Sequence, residues 1–346
     1  MSAPGRPEGE YRRAQHEGTP VSPLPRLSRL LLDLHRAARD VDAADFQHWA
    51  LERLRDDIPF ASAMWASGAG TEQGPLFHAI HLQHQPMQML IDYEPLKQHD
   101  RLFAQALAEA GRSLRATSAT DLPALFQPYC ERYGLSQALC TMTLDAQTAL
   151  ITGVSLYRDA SGPAFSDDDA AMMEAVFPHL KVCDSRCHLT RLQREAGVVN
   201  SNASTGHAAC DEKGLLRHAD DAFVQALHHE WPDWRGPWLP PALHAVVQAS
   251  RNGLAVGAAS HVHSVPLGSL WLVHLRRRRP ADGLPKRLRQ VAELAAQGLN
   301  HKAIAARLGL APATVRNQLA SLYKRLGVSN RAALAANLQG REPPSP

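Results

Sequence analysis

The sequence has 346 residues, of which 45% are hydrophobic and 21% charged, so it is long enough for two or three domains and too apolar for a largely disordered chain. The net charge is only +3, but it is unevenly divided. Residues 276–346 carry 14 Lys and Arg against 3 Asp and Glu, whereas residues 1–275 carry 23 against 31. Such a basic segment indicates a polyanionic partner, because clustered cations displace counterions from nucleic acid.

The amino-terminal residues 1–26 are polar and rich in proline, which predicts a disordered leader without the apolar core of a signal peptide. No apolar run in the chain is long enough for a membrane span. The 5 cysteines are too few, and odd in number, for a disulfide scaffold, which favours free thiols in a reducing compartment. The sequence therefore predicts a cytoplasmic protein without membrane contact.

Residues 27–196 have the apolar pattern of an α+β module. The predicted order is two amphipathic helices, a strand pair at 61–65 and 77–82 with its turn at 67–70, a helix over 96–110, strands at 139–144 and 149–157, and a long closing helix. Ser166 and the three aspartates after it suit the start of that last helix, because carboxylates stabilise the positive end of the helix dipole.

A polar stretch at 197–206 predicts a linker, and residues 207–276 predict a second, smaller α+β module. Its predicted elements are a turn at 211–214, a helix over 219–229 and strands at 254–262 and 269–275. The stretch Arg276–Gly283 is expected to interrupt regular structure. Its four arginines fit either contact with phosphates or a solvated linker.

Residues 284–338 predict an all-α block of four short helices, followed by a disordered tail at 339–346. Predicted left-handed C-caps are Gly298, Gly309 and Gly327, and predicted side-chain N-caps are Asn300 and Ser329. Pro312 suits the first position of the third helix, which should run to about Leu326. Two short helices around a tight turn with glycine form the helix-turn-helix pattern, whose second helix enters the major groove of DNA.

The face of the third helix opposite its apolar stripe is small and basic, as a helix that lies in a DNA groove requires. Asn317 has the paired donor and acceptor that recognise an adenine edge, and Arg316 can reach guanine or phosphate. Candidate phosphate contacts are Lys302, Lys324 and Arg325. The alternative is a small helical bundle with a solvated basic surface.

Residues 284–334 resemble the LuxR-type (LuxR/FixJ) helix-turn-helix domain of bacterial transcription regulators. The matching residues include Val291, Gly298, Lys302–Ala305, Leu308–Gly309, Thr314–Arg316, Leu319 and Leu326–Val328. The resemblance implies that the third helix is the recognition helix on double-stranded DNA, with Arg316, Asn317 and Ala320 facing bases or phosphates. It places Thr314 among the DNA-binding residues, and it implies a homodimer formed with the fourth helix. Leu288 and Ala311 depart from the family, which usually has Glu and a Ser, Thr or Asp cap there.

Two segments further upstream also resemble known sensor domains. Tyr133–Cys183 is similar to the closing strands and helix of a GAF-like or autoinducer-type domain, and Asp211–Phe223 resembles a PAS-like unit. Tyr93–Leu102 resembles the autoinducer domain's Tyr…Asp-Pro motif, with Arg101 in place of the proline. These resemblances imply a small-molecule signal, unidentified, sensed upstream of the DNA-binding block, with RNA polymerase as a further partner. No cofactor and no metal ligand are assigned.

The alternatives concern the amino-terminal half. His179, Cys183 and Cys187 recur every four residues in the closing helix and share one face, which fits either a metal or redox sensor or packing at a helix seam. A sigma-like polymerase factor would need a promoter-melting region, and none is evident. No phosphate loop, nucleophile elbow or metalloprotease pattern occurs, so no enzymatic activity is predicted.

Overall fold

The structure is a computed structural model that describes residues 24–197, 205–249, 254–256, 260–278 and 280–339. Most of the predicted leader, linker and tail lies outside the described residues. Residues 24–26, which were expected to belong to the leader, instead begin the first helix, and residue 339 ends the last one. Among the helices of the described residues, none combines the length and the apolar character that a membrane crossing requires.

The first unit is an α+β fold around a five-stranded antiparallel sheet with the order β2-β1-β5-β4-β3. Its elements are α1 (Leu24–Asp40), α2 (Phe46–Arg55), β1 (Ser62–Thr71), β2 (Gly74–Gln83), α3 (Gln88–Tyr93), α4 (Arg101–Ala108), β3 (Ser113–Thr117), α5 (Ser118–Asp121), α6 (Gln127–Tyr133), β4 (Gln137–Leu144), β5 (Leu150–Arg158) and α7 (Asp167–Glu195). Helices α1, α2 and α7 cover one face of the sheet, where Phe46, Trp65 and Phe177 are buried together. Helices α3, α4 and α6 cover the other face.

The long helix α7 begins where the sequence predicts. The Ser166 hydroxyl accepts from the Asp169 backbone at 3.1 Å, and the Asp169 carboxylate accepts from the Ser166 backbone at 2.9 Å. This reciprocal capping box satisfies two backbone donors that would otherwise lack a partner at the helix start.

Two predictions for the first unit are wrong. The stretch 67–70 is not a turn, because β1 continues through it and the chain reverses at residues 72–73. Gly68 lies at a bulge where an added Cβ would be 2.6 Å from the Leu76 carbonyl oxygen, so close packing of the strands explains the glycine. The helix expected over 96–110 begins only at Arg101, because the Asp100 side chain caps it by accepting from the Phe103 backbone.

The second unit is also built on a five-stranded antiparallel sheet, with the order β7-β6-β10-β9-β8. Its elements are β6 (Gly206–Asp211), β7 (Leu216–Ala219), α8 (Asp221–Glu230), α9 (Pro241–Ala249), β8 (Leu254–Val256), β9 (Ser260–Leu267) and β10 (Leu270–Arg277). The single strand expected over 254–262 is wrong, because Leu254–Val256 pairs antiparallel with His261–His263. Helix α9 was not predicted.

The two units pack against each other along a contact that we call the seam. It is formed by α7, β1 and residues 147–150 of the first unit with β6, β7, β10 and Gly236 of the second. Leu150 packs against the core of the second unit. The Gly236 backbone donates to the Gln147 carbonyl at 2.9 Å. The seam therefore includes both apolar and backbone contacts.

The last unit is helical, with a short 3₁₀ turn at Pro280–Gly283 and then α10 (Lys286–Ala296), α11 (His301–Leu308), α12 (Pro312–Leu326) and α13 (Arg331–Gln339). The Asn300 side chain caps α11 as predicted, accepting from the Ala303 backbone at 2.9 Å. The cap predicted at Ser329 is wrong by one residue: the Asn330 side chain accepts from the Ala333 backbone at 2.8 Å.

Candidate functional site

The turn between α11 and α12 is tight and is formed by local chemistry. Gly309 adopts the left-handed conformation, φ 64°, and the Leu310 backbone donates to the Ala305 carbonyl at 2.9 Å. Ala311 occupies the N-cap in an extended conformation without a side-chain hydrogen bond. The missing cap costs about 1 kcal/mol, which the preset backbone of Pro312 at the first helical position partly offsets.

One side of α12 is fixed in the core of the helical unit. Its buried stripe consists of Val315, Leu319, Leu322 and Leu326. This stripe packs against Val291 of α10 and Ile304 of α11, which are both fully buried. Leu288, at a position where the family usually has Glu, packs against the same cluster. The packing holds the opposite face of α12 toward solvent.

All of the predicted DNA-binding side chains are exposed: Lys302, Thr314, Arg316, Asn317, Ala320, Lys324 and Arg325. All but Lys302, which lies in the first turn of α11, belong to α12. In the described part of the chain, Lys302, Arg316 and Lys324 make no ion pair, so their charges are not neutralised. Arg325 differs, because its Nη2 donates to the Gly283 carbonyl at 3.3 Å and so also contacts the segment before α10.

The arginines before the helical unit were expected to be either phosphate contacts or a solvated linker, and for Arg276 both interpretations are wrong. Its Nη1 and Nη2 donate to the two carboxylate oxygens of Asp282, each at 2.7 Å. The two side chains are only 16% and 4% exposed. Arg289 of α10 donates to the Ala281 and Asp282 carbonyls at 3.1 and 2.8 Å. Arg276 therefore joins the end of β10 to the start of the helical unit.

The first unit contains a cavity of about 660 Å³ between its sheet and helices α3, α4 and α6. Its walls are mainly apolar and include six aromatic residues: Phe77, Tyr93, Phe103, Phe126, Tyr129 and Tyr157. The Tyr93 hydroxyl donates to the Asp100 carboxylate at 2.8 Å. Burial raises the pKa values of Tyr93 and Tyr157, so both phenols are neutral hydrogen-bonding groups.

Neither of the two cysteines that line this cavity, Cys130 and Cys140, is an activated nucleophile, because burial raises both pKa values to about 11. The Cys140 sulfur accepts from the Ser155 hydroxyl at 3.4 Å. Because the thiolate is the reactive form, both cysteines are inert at neutral pH. The cavity therefore offers mainly apolar surface with a few neutral hydrogen-bonding groups and the charged side chains of Glu94, Lys97 and Asp100.

The face of α7 that packs against α1 carries His179, Cys183 and Cys187. The ring nitrogens of His179 and His35 are 3.1 Å apart, and the Cys183 sulfur is 3.5 Å from the His35 ring. The Cys187 thiol donates to the Val41 carbonyl at 3.4 Å. Burial raises the pKa values of both thiols to about 11. The two thiols are therefore protonated, and they contribute to the packing between α7 and α1.

Comparison with known proteins places the helical unit in a family. Residues 282–337 match the family described as "Bacterial regulatory proteins, luxR family". The transcriptional regulatory protein UhpA of Escherichia coli (strain K12) is 46% identical over 82 residues, which are 22% of this chain and 41% of that protein. UhpA of Salmonella typhimurium is 49% identical over 79 residues, 21% of this chain and 40% of its own length. The chain thus spans about two fifths of these curated relatives.

Residues 282–337 therefore form a LuxR-type helix-turn-helix domain, as the sequence predicts, and this domain follows an α+β amino-terminal part. A crystal structure of Escherichia coli SdiA covers 92% of this chain and 98% of its own, with a TM-score of 0.37 and 11% identity. At that level of similarity, the amino-terminal part is best described from its own geometry.

Proposed function

We propose that this protein is a transcription regulator that binds double-stranded DNA through α12, under the control of a small molecule bound in the first unit. The observation that carries the proposal is the exposed face of α12, where small side chains, Asn317 and unneutralised cations lie beside a fixed apolar stripe. The names of the relatives, transcriptional regulatory proteins, support the same function and no enzymatic one.

The proposed division of the chain is a sensor module at 27–196, a PAS-like module at 207–276 and a four-helix DNA-binding domain at 284–338. The second sheet has its first strand between its second and fifth strands, an order that suits a PAS-like unit and that the first sheet shares. The proposed protein acts in the cytoplasm as a homodimer formed with α13, which suits a two-fold operator, and influences RNA polymerase there.

The cavity in the first unit supports the proposed signal. Its volume of about 660 Å³ lies within the range of small-molecule sites, and its walls are mainly apolar. The pair of Tyr93 and Asp100 supplies one polar anchor. We therefore expect a ligand that is largely apolar and carries a few hydrogen-bonding groups.

Footprinting of the full-length protein on DNA flanking its own gene tests the DNA-binding function. The variant is the double charge reversal Arg316→Glu with Lys324→Glu, and the matched control is Lys213→Glu, an exposed lysine in the turn between β6 and β7. Wild type and control should protect the same site. The double variant should lose protection, because like charges then face the phosphates. Equal protection by the double variant and the control would reject α12 as the DNA-binding element.

The cavity is tested separately with Ala66→Phe, because Ala66 is 5% exposed and lines the cavity. The matched control is Ala44→Phe, which adds the same ring at an exposed position. The fluorescent apolar probe anilinonaphthalene sulfonate should bind wild type and control and bind Ala66→Phe more weakly. Identical binding by all three proteins would show that the cavity does not take apolar molecules.

A further inference from the structure

A group of three titratable side chains lies at the seam, apart from both the cavity and α12. Asp184 and His188 come from α7 of the first unit, and His218 comes from β7 of the second. One ligand-capable atom of each residue lies within 4.8 Å of the others. Because His218 is distant in sequence and belongs to a different unit, the sequence alone did not bring the three together.

Asp184 is buried without full hydrogen bonding. The residue is 4% exposed, and its Oδ1 accepts no hydrogen bond. The nearest basic atom, Nδ1 of His188, is 3.5 Å from Oδ1, which is too far for an ordinary hydrogen bond. Burial raises the pKa of this carboxyl, while His188 and Gln47 oppose the shift. A buried carboxylate oxygen in this state is stabilised by a bound cation.

The two histidines are in forms suited to bind a metal. Nδ1 of His188 lies 3.0 Å from the Asp184 carbonyl oxygen, which can only accept, so this nitrogen carries the proton. A hydrogen bond from one ring nitrogen to a backbone carbonyl is the usual support of a metal-binding histidine, which binds the ion through its other nitrogen. Burial and the neighbouring His188 lower the pKa of His218, which favours the uncharged ring that a metal ion requires.

A third histidine lies close to the group. His78 of β2 has a buried Nε2 without a hydrogen-bond partner among the described residues. Burial lowers its pKa to about 4, with Arg217 adding to the shift. Arg217 itself donates to the Asp211 carboxylate at 2.9 Å, so that cation is already paired. The rings of His188 and His218 stack with centroids 4.4 Å apart. The group therefore brings imidazole nitrogens from both units beside one buried carboxylate.

We propose that Asp184, His188 and His218 bind one divalent transition-metal ion of the Zn²⁺ class, which links the first unit to the second across the seam. Two imidazoles and one carboxylate suit such an ion, whereas Mg²⁺ and Ca²⁺ prefer oxygen ligands alone. Metal–ligand distances of about 2.0–2.2 Å place neighbouring ligands roughly 3.4 Å apart. Because the His188 and His218 rings are stacked nearly parallel, one ring must turn on binding so that both lone pairs point to the ion, and water completes the coordination.

The experiment uses tag-free, full-length protein that has been treated with EDTA and then titrated with Zn²⁺ against a chromophoric chelator. Wild type should bind one tight Zn²⁺ per chain and should not bind Mg²⁺ at that site. His188→Gln and His218→Asn should each weaken Zn²⁺ binding at least about 10- to 100-fold, because even the loss of a supporting residue has an effect of that size. The exposed His229→Asn is the matched control and should bind as wild type does.

Hydrogen exchange distinguishes Zn²⁺ bound at the seam from Zn²⁺ bound by other histidines of the chain. Zn²⁺ should slow exchange in both α7 and β7 of the wild type and in neither element of His188→Gln. The His188 side chain is 30% exposed, so this variant should fold even if His218→Asn does not. The proposal is overturned if no tight Zn²⁺ binds, if His188→Gln matches the control, or if protection is confined to one unit. Because no DNA is present, the outcome is independent of the proposed DNA binding.

Discussion

Replacing Asn317 with alanine should change which DNA sequence the protein prefers, whereas replacing Lys324 with alanine should weaken binding to every sequence. Both side chains are exposed on α12 and make no hydrogen bond within the described residues, so neither change should disturb the fold. An asparagine amide pairs with both groups on the major-groove edge of adenine. Such a pair contributes about 1–3 kcal/mol of discrimination, which corresponds to roughly 5- to 150-fold in affinity.

Lys324 should act through charge alone. Its ammonium group neutralises about one phosphate, so its removal should lower the slope of log affinity against log salt by about 0.9. Between about 50 and 200 mM salt, wild type should therefore lose roughly 3.5-fold more affinity than Lys324→Ala does. The loss should be the same on the footprinted duplex and on a scrambled one.

Fluorescence anisotropy with those two duplexes, over a series of salt concentrations, measures both effects. Lys213→Ala is the control for removing an exposed lysine outside the helical unit. Asn317→Ala should approach wild-type affinity on the scrambled duplex and lose affinity on the footprinted one. Equal losses of Asn317→Ala on both duplexes, or an unchanged salt slope for Lys324→Ala, would refute the roles assigned to the two residues.

Three further predictions concern stability and the connections between units. Gly236→Ala places a Cβ 1.9 Å from the Thr148 carbonyl oxygen and should reduce the free energy of unfolding by about 1–3 kcal/mol; an unchanged urea midpoint would contradict this. Burial lowers the pKa of His274 to about 4, so the folded state binds fewer protons than the unfolded state. Its contribution to stability is complete above about pH 6.5 and is lost as the pH falls toward 4. Urea unfolding at several pH values should show a shallower decline for His274→Gln, and an identical decline would refute the assignment. Arg276→Gln removes the bidentate partner of Asp282 and should cost about 3 kcal/mol, with faster proteolysis before α10; wild-type resistance would contradict this.

The helical domain could be predicted in detail because its signals are local. The αL glycine at 309, the cap at Asn300 and the proline at 312 each act within one helical turn. The exception, the cap of α13, shows the limit: Ser329 and Asn330 are both good N-cap residues, and only the backbone geometry selects Asn330. A local signal for α9 was present but unused, since Pro241 occupies its first position.

The features that the sequence did not predict depend on contacts between distant segments. Gly68 suggested a turn by composition, yet it is required by the close approach of the Leu76 carbonyl in the neighbouring strand. Arg276 belongs to a run of arginines, a pattern that predicts exposure to solvent or contact with phosphates. Its position is instead determined by its ion pair with Asp282. The group of Asp184, His188 and His218 forms only because β7 packs against α7. No residue spacing in the sequence predicts that contact.

The proposed control of DNA binding requires a physical connection from the cavity to α12. Helix α7 belongs to the core of the first unit and contacts β6, β7 and β10 of the second. Arg276 lies near the end of β10 and pairs with Asp282, whose backbone carbonyl accepts from Arg289 of α10. These are packed and hydrogen-bonded contacts, so the helical domain is not joined by a free tether. A connection of this kind transmits a signal only where one element has two discrete arrangements. The seam lies on this route, between the unit that contains the cavity and the strand that leads to the helical domain. We therefore expect a ligand to act by changing the seam and not by loosening α12 itself.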